Sequence, residues 1–480
     1  MSVESLVFYK AVNNTDTAAN GGRIGRVPII SGAQLNLFDY VSAMDLLAGR
    51  YPGGPKEPVY RKFGAKNEKS GSPPETALNA MAFFMSPTNG GDRKTMALGT
   101  ETDVQSELSA DLKLWVGAGK LNSSLSGGES QLELEMEGDE AEFVPGGYLY
   151  LSDQFKAGQT LASDVKVGDS VSYADGTWSK ATYSSDLVYP KGRYLGNDLV
   201  MTYETGVSNE QKIPLPENKT TDESIGTGTG AVQPTLSALS GITNGLLIKS
   251  DFMPTITATC SGVSQTITFD SDGNCEGHCT GGQINPATGA WTTQPTWVSA
   301  PDNGTDITIT YWDKCWSYSG NICTIDLDGQ VATAFSATNT YASGALQGGD
   351  LVASYDGFND TSAGGIYDET SYPIELVNDG VEEDAYELTF SSSSTFQVTG
   401  VNGGSLGTFN VSSDCAPVNP ASGEPLFTVD HLGWIGSPTA GDKLQFSTHL
   451  GAMYIWVRQI VPAGTESEEN NITPIRVTNE

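Results

Sequence analysis

Residues Gln131 to Glu137 read Q-L-E-L-E-M-E, placing Leu132, Leu134 and Met136 on one side and Glu133, Glu135 and Glu137 on the other. Successive side chains of an extended chain point to opposite faces, so this period of two describes a half-buried β-strand with one apolar and one carboxylate-lined face. Shorter alternating runs recur at Thr255 to Thr259, Gln265 to Phe269, Asp306 to Tyr311, Ala385 to Phe390, Lys443 to Phe446 and Met453 to Ile460. Clusters of Gly, Asn, Asp and Pro separate them. Short strands punctuated by turn residues predict a mainly β, multidomain chain of sandwich or barrel domains with little helix. Helical spacing is confined to Leu37 to Leu47, stopped by Gly49 and Pro52, and to Val331 to Thr338.

The chain has 480 residues, more than a single hydrophobic core usually serves. Asn218 to Thr235 is polar and rich in Gly and Thr and reads as a linker or exposed loop. We therefore expect an N-terminal β-rich assembly domain at 1–224, a β-sandwich module at 225–327 and a C-terminal β-rich domain at 328–480. Glu466 to Asn471 reads as a charged tip. With 19 Tyr, 16 Phe and 8 Trp the chain has enough aromatic material to anchor several cores, which sets it apart from disordered sequences.

Twenty-five basic and 58 acidic residues give a formal charge of −33. Such a surplus repels phosphate and anionic lipid, arguing against nucleic acid or a membrane surface as partner. Only three histidines are present, which leaves little material for general base catalysis. No apolar run reaches the roughly 18 to 20 residues of a spanning helix, and Met1 to Lys10 lacks the basic start and apolar core of a secretory signal. Synthesis in a cytoplasm is the resulting expectation.

Asp270 to Asn274 (D-S-D-G-N) opens like a calcium loop, but Cys275 and Gly281 stand where that pattern needs Gly and Glu, so it reads as a hairpin turn. Gly117 to Lys120 (G-A-G-K) lacks the spacing of a phosphate loop and reads as a turn between strands. Five of the six cysteines fall between Cys260 and Cys323. Cys275, His278 and Cys279 carry zinc-ligand chemistry, although their spacing is not that of the usual short pairs. Cys315 and Cys323 flank a hairpin with its tip at Tyr318-Ser319-Gly320, which predicts thiols facing each other across a strand pair within disulfide reach. Disulfides, free buried thiols and a metal all remain open for this cluster.

His431 and His449 have Asp430 and Asp442 near them in sequence, but no nucleophile motif accompanies them, and they read as structural. Trp291, Trp297, Trp312 and Trp316 read as core residues instead of sugar-stacking platforms. We expect no cofactor and no catalytic residues.

Thr17 to Arg23 (T-A-A-N-G-G-R), Tyr60 to Phe63 (Y-R-K-F) and Gly99 to Asp103 (G-T-E-T-D) are similar to the N-terminal part of structural proteins from the tails of Mu-like and chi-like siphophages. Gly282 to Gly289 (G-Q-I-N-P-A-T-G), with Ile307 to Tyr311, is similar to the Ig-like modules that decorate phage virions. Gly364 to Tyr372, Asp414 to Pro420 and Gly441 to Gly464 resemble the family's C-terminal part. Cys275, Cys279 and Cys415 depart from it, standing where small residues are expected.

The resemblance implies a non-enzymatic virion protein of a bacteriophage tail, synthesised in the host cytoplasm. It also implies a symmetric ring of copies at the tail tip or baseplate, with other tail proteins as neighbours. The alternatives are a tail-tube protein with a decorating Ig-like domain, and a module that binds host-surface glycan, either the Ig-like middle domain or the C-terminal domain with Trp434 and Trp456. In a tail channel, a face such as Glu133, Glu135 and Glu137 would repel passing DNA.

Overall fold

The computed structural model describes residues 6–13, 19–29, 58–67, 77–84, 93–108, 111–138, 141–153, 160–161, 170–174, 177–180, 191–195, 198–202, 210–338, 340–362, 365–460 and 475–478. The helix expected at Leu37 to Leu47 and the charged tip at Glu466 to Asn471 lie outside these residues. Among the described residues the chain is a multidomain assembly of packed β-sheets, and helix is confined to single 3-10 turns such as Gln105–Glu107 and His431–Gly433.

The decisive stretch folds as read. Gln131–Glu135 is a strand with Leu132 and Leu134 buried and its glutamates exposed. It lies inside a seven-stranded sheet whose order is Glu210–Pro214, Tyr148–Ser152, Tyr341–Gly344, Ala118–Leu121, Gln131–Glu135, Ile322–Asp326, Trp316–Ser319. Met136 continues the buried face, and Glu137 the exposed one. The six shorter alternating runs are all strands as well, from Thr255–Cys260 to Ala452–Ile460.

Gly117 to Lys120 belongs to that same sheet and is no turn: Ala118–Leu121 pairs with Tyr341–Gly344 on one side and with Gln131–Glu135 on the other. Its glycines serve close packing. A Cβ on Gly119 would collide with Met136 Sδ and come within 2.9 Å of the Glu135 carbonyl oxygen.

A second sheet ties distant parts of the chain together in the order Gly21–Ile29, Leu6–Asn13, Val59–Asn67, Ala452–Ile460, Arg93–Leu98. Ile475–Thr478 and Leu346–Leu351 flank Ala77–Phe84 in a third. One hydrophobic core joins these sheets to the seven-stranded one and draws on Phe63, Phe84, Val116, Leu134, Ile325 and Ile455. Each such side chain contributes about 1.5–3 kcal/mol when fully buried.

This body is built from both ends of the sequence, so the expected boundaries at 224 and 327 do not follow the sheets. Strands of the 328–480 segment complete N-terminal sheets, and Trp316–Ser319 with Ile322–Asp326 belong to the body, not to the middle module. A strand finds its hydrogen-bonding partner by register, whatever its distance along the chain.

Besides a five-stranded sheet that runs from Thr160–Leu161 to Asp198–Thr202 between Tyr148–Ser152 and Glu210–Pro214, two modules with hydrophobic cores of their own are inserted into the body. The first is an antiparallel sheet in the order Lys219–Thr227, Asp306–Trp312, Thr255–Cys260, Val263–Phe269, Cys275–Gly277, accompanied by the ribbon Gln283–Ile284 with Trp291–Thr293. Its core centres on Ile256, Ile267, Phe269, Trp297, Ile309 and Tyr311. Asn218 to Thr235 is therefore only partly a loop. Lys219–Thr227 is an edge strand in which Ile225 alone is buried, and bulges interrupt its pairing near Asp222, whose φ is +52°. Edge position explains its polar composition, because neither face needs to be apolar throughout.

The second module orders Ser354–Asp360, Lys443–His449, Asp384–Phe390, Thr395–Gly400, Gly404–Asn410 over an aromatic core that includes Tyr386, Phe390, Phe396, Phe427 and Phe446. Val331 to Thr338 is not helical. It runs beside 124–130, with Val331 N donating to Glu129 O and Phe335 exchanging backbone hydrogen bonds with Leu125. The buried pair Val331 and Phe335 imitates helical i, i+4 spacing while each anchors one point of an irregular segment.

Candidate functional site

The Asp270 to Asn274 turn forms as expected. Asp270 accepts hydrogen bonds from Asp272 N, Asn274 N and Asn274 Nδ2, and Gly273 takes a φ of +81°. The strand Cys275–Gly277 then pairs Cys275 with Phe269. His278 turns its Nε2 to Ser299 Oγ at 2.7 Å, and Cys279 bridges to Trp297. Cys275, His278 and Cys279 therefore do not form a group whose three ligand atoms lie within 4.8 Å of one another. Burial pushes the Cys275 thiol up to about 12, with the neighbouring Cys279 and Asp270 acting in the same direction.

The hairpin predicted around Tyr318 to Gly320 is present, but its register sets Cys323 opposite Tyr318 and Trp316 opposite Ile325. Cys315, just outside the strand, gives its carbonyl to Asp326 N. The two thiols are therefore not directly across from each other, and both are free and fully buried.

Of the tryptophans, Trp297 and Trp316 are buried, while Trp291 and Trp312 pack at the edges of cores. Trp456 is wholly buried and therefore has no face to offer a sugar. Trp434 is half-buried among Tyr367, Phe390 and Phe396. A cleft of about 170 Å³ is lined by Phe83, Tyr148, Tyr150, Glu210, Lys212 and Arg476. That is below the roughly 300–1,000 Å³ of ordinary small-molecule pockets.

A buried charged pair lies beside Trp456. Gly21, with φ +101°, and Gly99 lie so close to its indole that a Cβ on either would come within 3 Å of it. Trp456 Nε1 donates to Asp103 Oδ2 at 3.0 Å. Asp103 Oδ1 pairs with Lys62 Nζ at 2.6 Å, and Lys62 also donates to the carbonyls of Glu101 and Asp103. Burial pulls the Lys62 pKa down, opposed by the hydrogen bond and charge of Asp103. Asn20 Nδ2 donates to Tyr60 O and Gln105 Oε1. The Asn20-Gly21, Tyr60 to Phe63 and Gly99 to Asp103 segments, far apart in sequence, thus meet beside the strand that follows His449.

No protein-family model matches this chain, and no curated protein or solved structure does so either.

Beside this junction, His449 Nδ1 lies 2.7 Å from Glu383 Oε1 and 2.9 Å from Glu101 Oε2, and its Nε2 is 3.2 Å from Asp356 Oδ1. Burial lowers the His449 pKa, but hydrogen bonds to Asp356, Glu101 and Glu383 outweigh it and hold the imidazole at about 9. Glu383 is raised to about 8, by burial first and then by Glu101 beside it. For His449 the sequence neighbour Asp442 is not the partner. Asp442 instead caps the turn at Thr439, and His431 takes Asp414 at 2.6 Å with Asp430 at 3.5 Å. Glu101, Glu383 and Asp356 carry no sequence signal, because they lie up to 348 residues from His449 and are three among 58 acidic residues.

Lys66 and Asn67 tie the second module's flanks to the body. Lys66 Nζ donates to Val381 O and Asn67 Nδ2 to Leu351 O. No helix among the described residues is long and apolar enough to cross a membrane.

Proposed function

We propose that this chain is a non-enzymatic structural component of a bacteriophage tail, a ring-forming protein of the tail tip or baseplate that is made in the host cytoplasm and carried in the virion. The observation that supports this reading is the sheet topology: strands from both halves of the chain close one body, and β modules with cores of their own are inserted into it. Such a body suits a repeating assembly subunit, whose open sheet edges are satisfied by neighbouring copies or other tail proteins. The segments that resemble siphophage tail proteins support it as well, since several of them gather around Trp456.

The two inserted modules also favour a second reading, a tail-tube protein with decorating domains, of which the 219–312 module is the Ig-like one. In either position the exposed Glu133, Glu135 and Glu137 would face a DNA path and keep the genome from adhering.

Mass photometry of the purified chain tests the ring: a discrete multiple of 50.6 kDa is expected, and a monomer at all concentrations overturns it. Antibody labelling of phage particles, viewed in negative stain, should decorate the tail tip; label along the tube selects the second reading. Replacing Glu133, Glu135 and Glu137 with Lys should leave assembly intact and slow genome delivery. Unchanged delivery kinetics removes the channel role.

A further inference from the structure

Where the second module meets the body, three side chains from separate elements point their ligand atoms at one spot. Glu101 comes from the turn after Arg93–Leu98, Glu383 precedes the strand Asp384–Phe390, and His449 ends Lys443–His449. The ligand atoms of all three lie within 4.8 Å of one another. Two carboxylate oxygens, at 2.7 and 2.9 Å, converge on the single nitrogen Nδ1.

The groups behind them are arranged to orient ligands. Asp356 faces the far nitrogen of His449 at 3.2 Å, and the second oxygen of Glu383 accepts from Leu450 N and Tyr454 OH, each at 3.2 Å. A carboxylate behind the imidazole and hydrogen bonds to the outer carboxylate oxygen are the supports that metal-ligating His and Glu residues characteristically have.

We propose that Glu101, Glu383 and His449 Nδ1 form a site for a divalent cation, Zn²⁺ by its ligand types, that fastens the second module to the body. Two carboxylates and a neutral imidazole cancel the charge of a dication, and three protein ligands leave a fourth position for water. The side chains of Glu101 and His449 are 17% and 31% exposed, so an ion can enter from solvent. Glu383, at 5%, forms the floor.

The test uses the full chain, stripped of metal with a chelator and titrated with Zn²⁺ by calorimetry, with retained metal counted by mass spectrometry after dialysis. One Zn²⁺ per chain is expected, with affinity reduced at least tenfold in Glu101→Gln and in His449→Gln. Asp356, whose side chain is 71% exposed, offers a variant that should not disturb folding. Asp356→Asn should weaken binding about 10- to 100-fold. A Cys275→Ser/Cys279→Ser variant should bind as the parent does. No stoichiometric Zn²⁺, equal binding in Glu101→Gln, His449→Gln and Asp356→Asn, or loss only in the cysteine variant overturns the proposal.

Discussion

Trp456 Nε1 donates to Asp103 Oδ2 at 3.0 Å across 353 residues of sequence. The same carboxylate pairs with Lys62, whose side chain has no solvent exposure. Removing one partner of a buried ion pair strands the other, so Asp103→Asn should destabilise the body by about 3–5 kcal/mol. Chemical denaturation followed by Trp fluorescence measures this. Adding Lys62→Met to Asp103→Asn should recover part of the loss, because no buried ammonium is then left without its counter-charge.

Gly119→Ala should cost about 1–3 kcal/mol, because its Cβ enters the space of Met136 Sδ in the middle of the seven-stranded sheet. Gly128, where a Cβ would meet nothing within 4 Å, has a φ of +96°. Gly128→Ala therefore probes backbone strain without a clash. Comparing the two melts separates crowding from conformation, and an unaltered melt for Gly119→Ala contradicts the close approach.

Asp360 should contribute to the acid sensitivity of the second module. Burial raises its pKa, but hydrogen bonds from Ile366 N, the Ser362 hydroxyl, Ser362 N and Tyr367 N outweigh it and leave the carboxyl below its usual 3.8. A depressed carboxyl pKa contributes stability that is present above 3.8 and lost as pH falls through the lower folded value. Between pH 5 and 2 the parent chain should therefore lose stability more steeply than Asp360→Asn. Parallel acid titrations by circular dichroism would expose the opposite ordering.

Burial pushes the thiols of Cys315 and Cys323 up to about 12. At pH 8 both should resist a thiol reagent in the folded chain and react on unfolding, since the thiolate is the reactive form. All six cysteines should titrate in denaturant without reductant. Two fewer would reveal a Cys315–Cys323 disulfide.

The strands were legible wherever one face met a core and the other met water, as in Gln131–Glu135 and Asp384–Phe390. The strand Lys219–Thr227 was not, because only Ile225 faces the core and hydrogen bonds to Asp306–Trp312 supply the rest. Ala118–Leu121 hid behind its glycines, whose value lies in what packs against them. Val331 and Phe335 carried helical spacing for a reason unrelated to helix.

The partners of His449 were invisible for a different reason. Sequence proximity favoured Asp442, whereas the fold brings Glu101 from the body and Glu383 from the bend just before Asp384–Phe390.

By itself the sequence determined a β-rich chain, an acidic outer face at Glu133, Glu135 and Glu137, and the Asp270 turn, because each depends on local periodicity or local hydrogen bonding. Tertiary structure alone decided that both ends of the chain share one body, that Trp456 sits on Gly21 and Gly99, and that Glu101, Glu383 and His449 meet. Strand partners and charge clusters are chosen by register and packing between distant segments, and no local pattern encodes that choice.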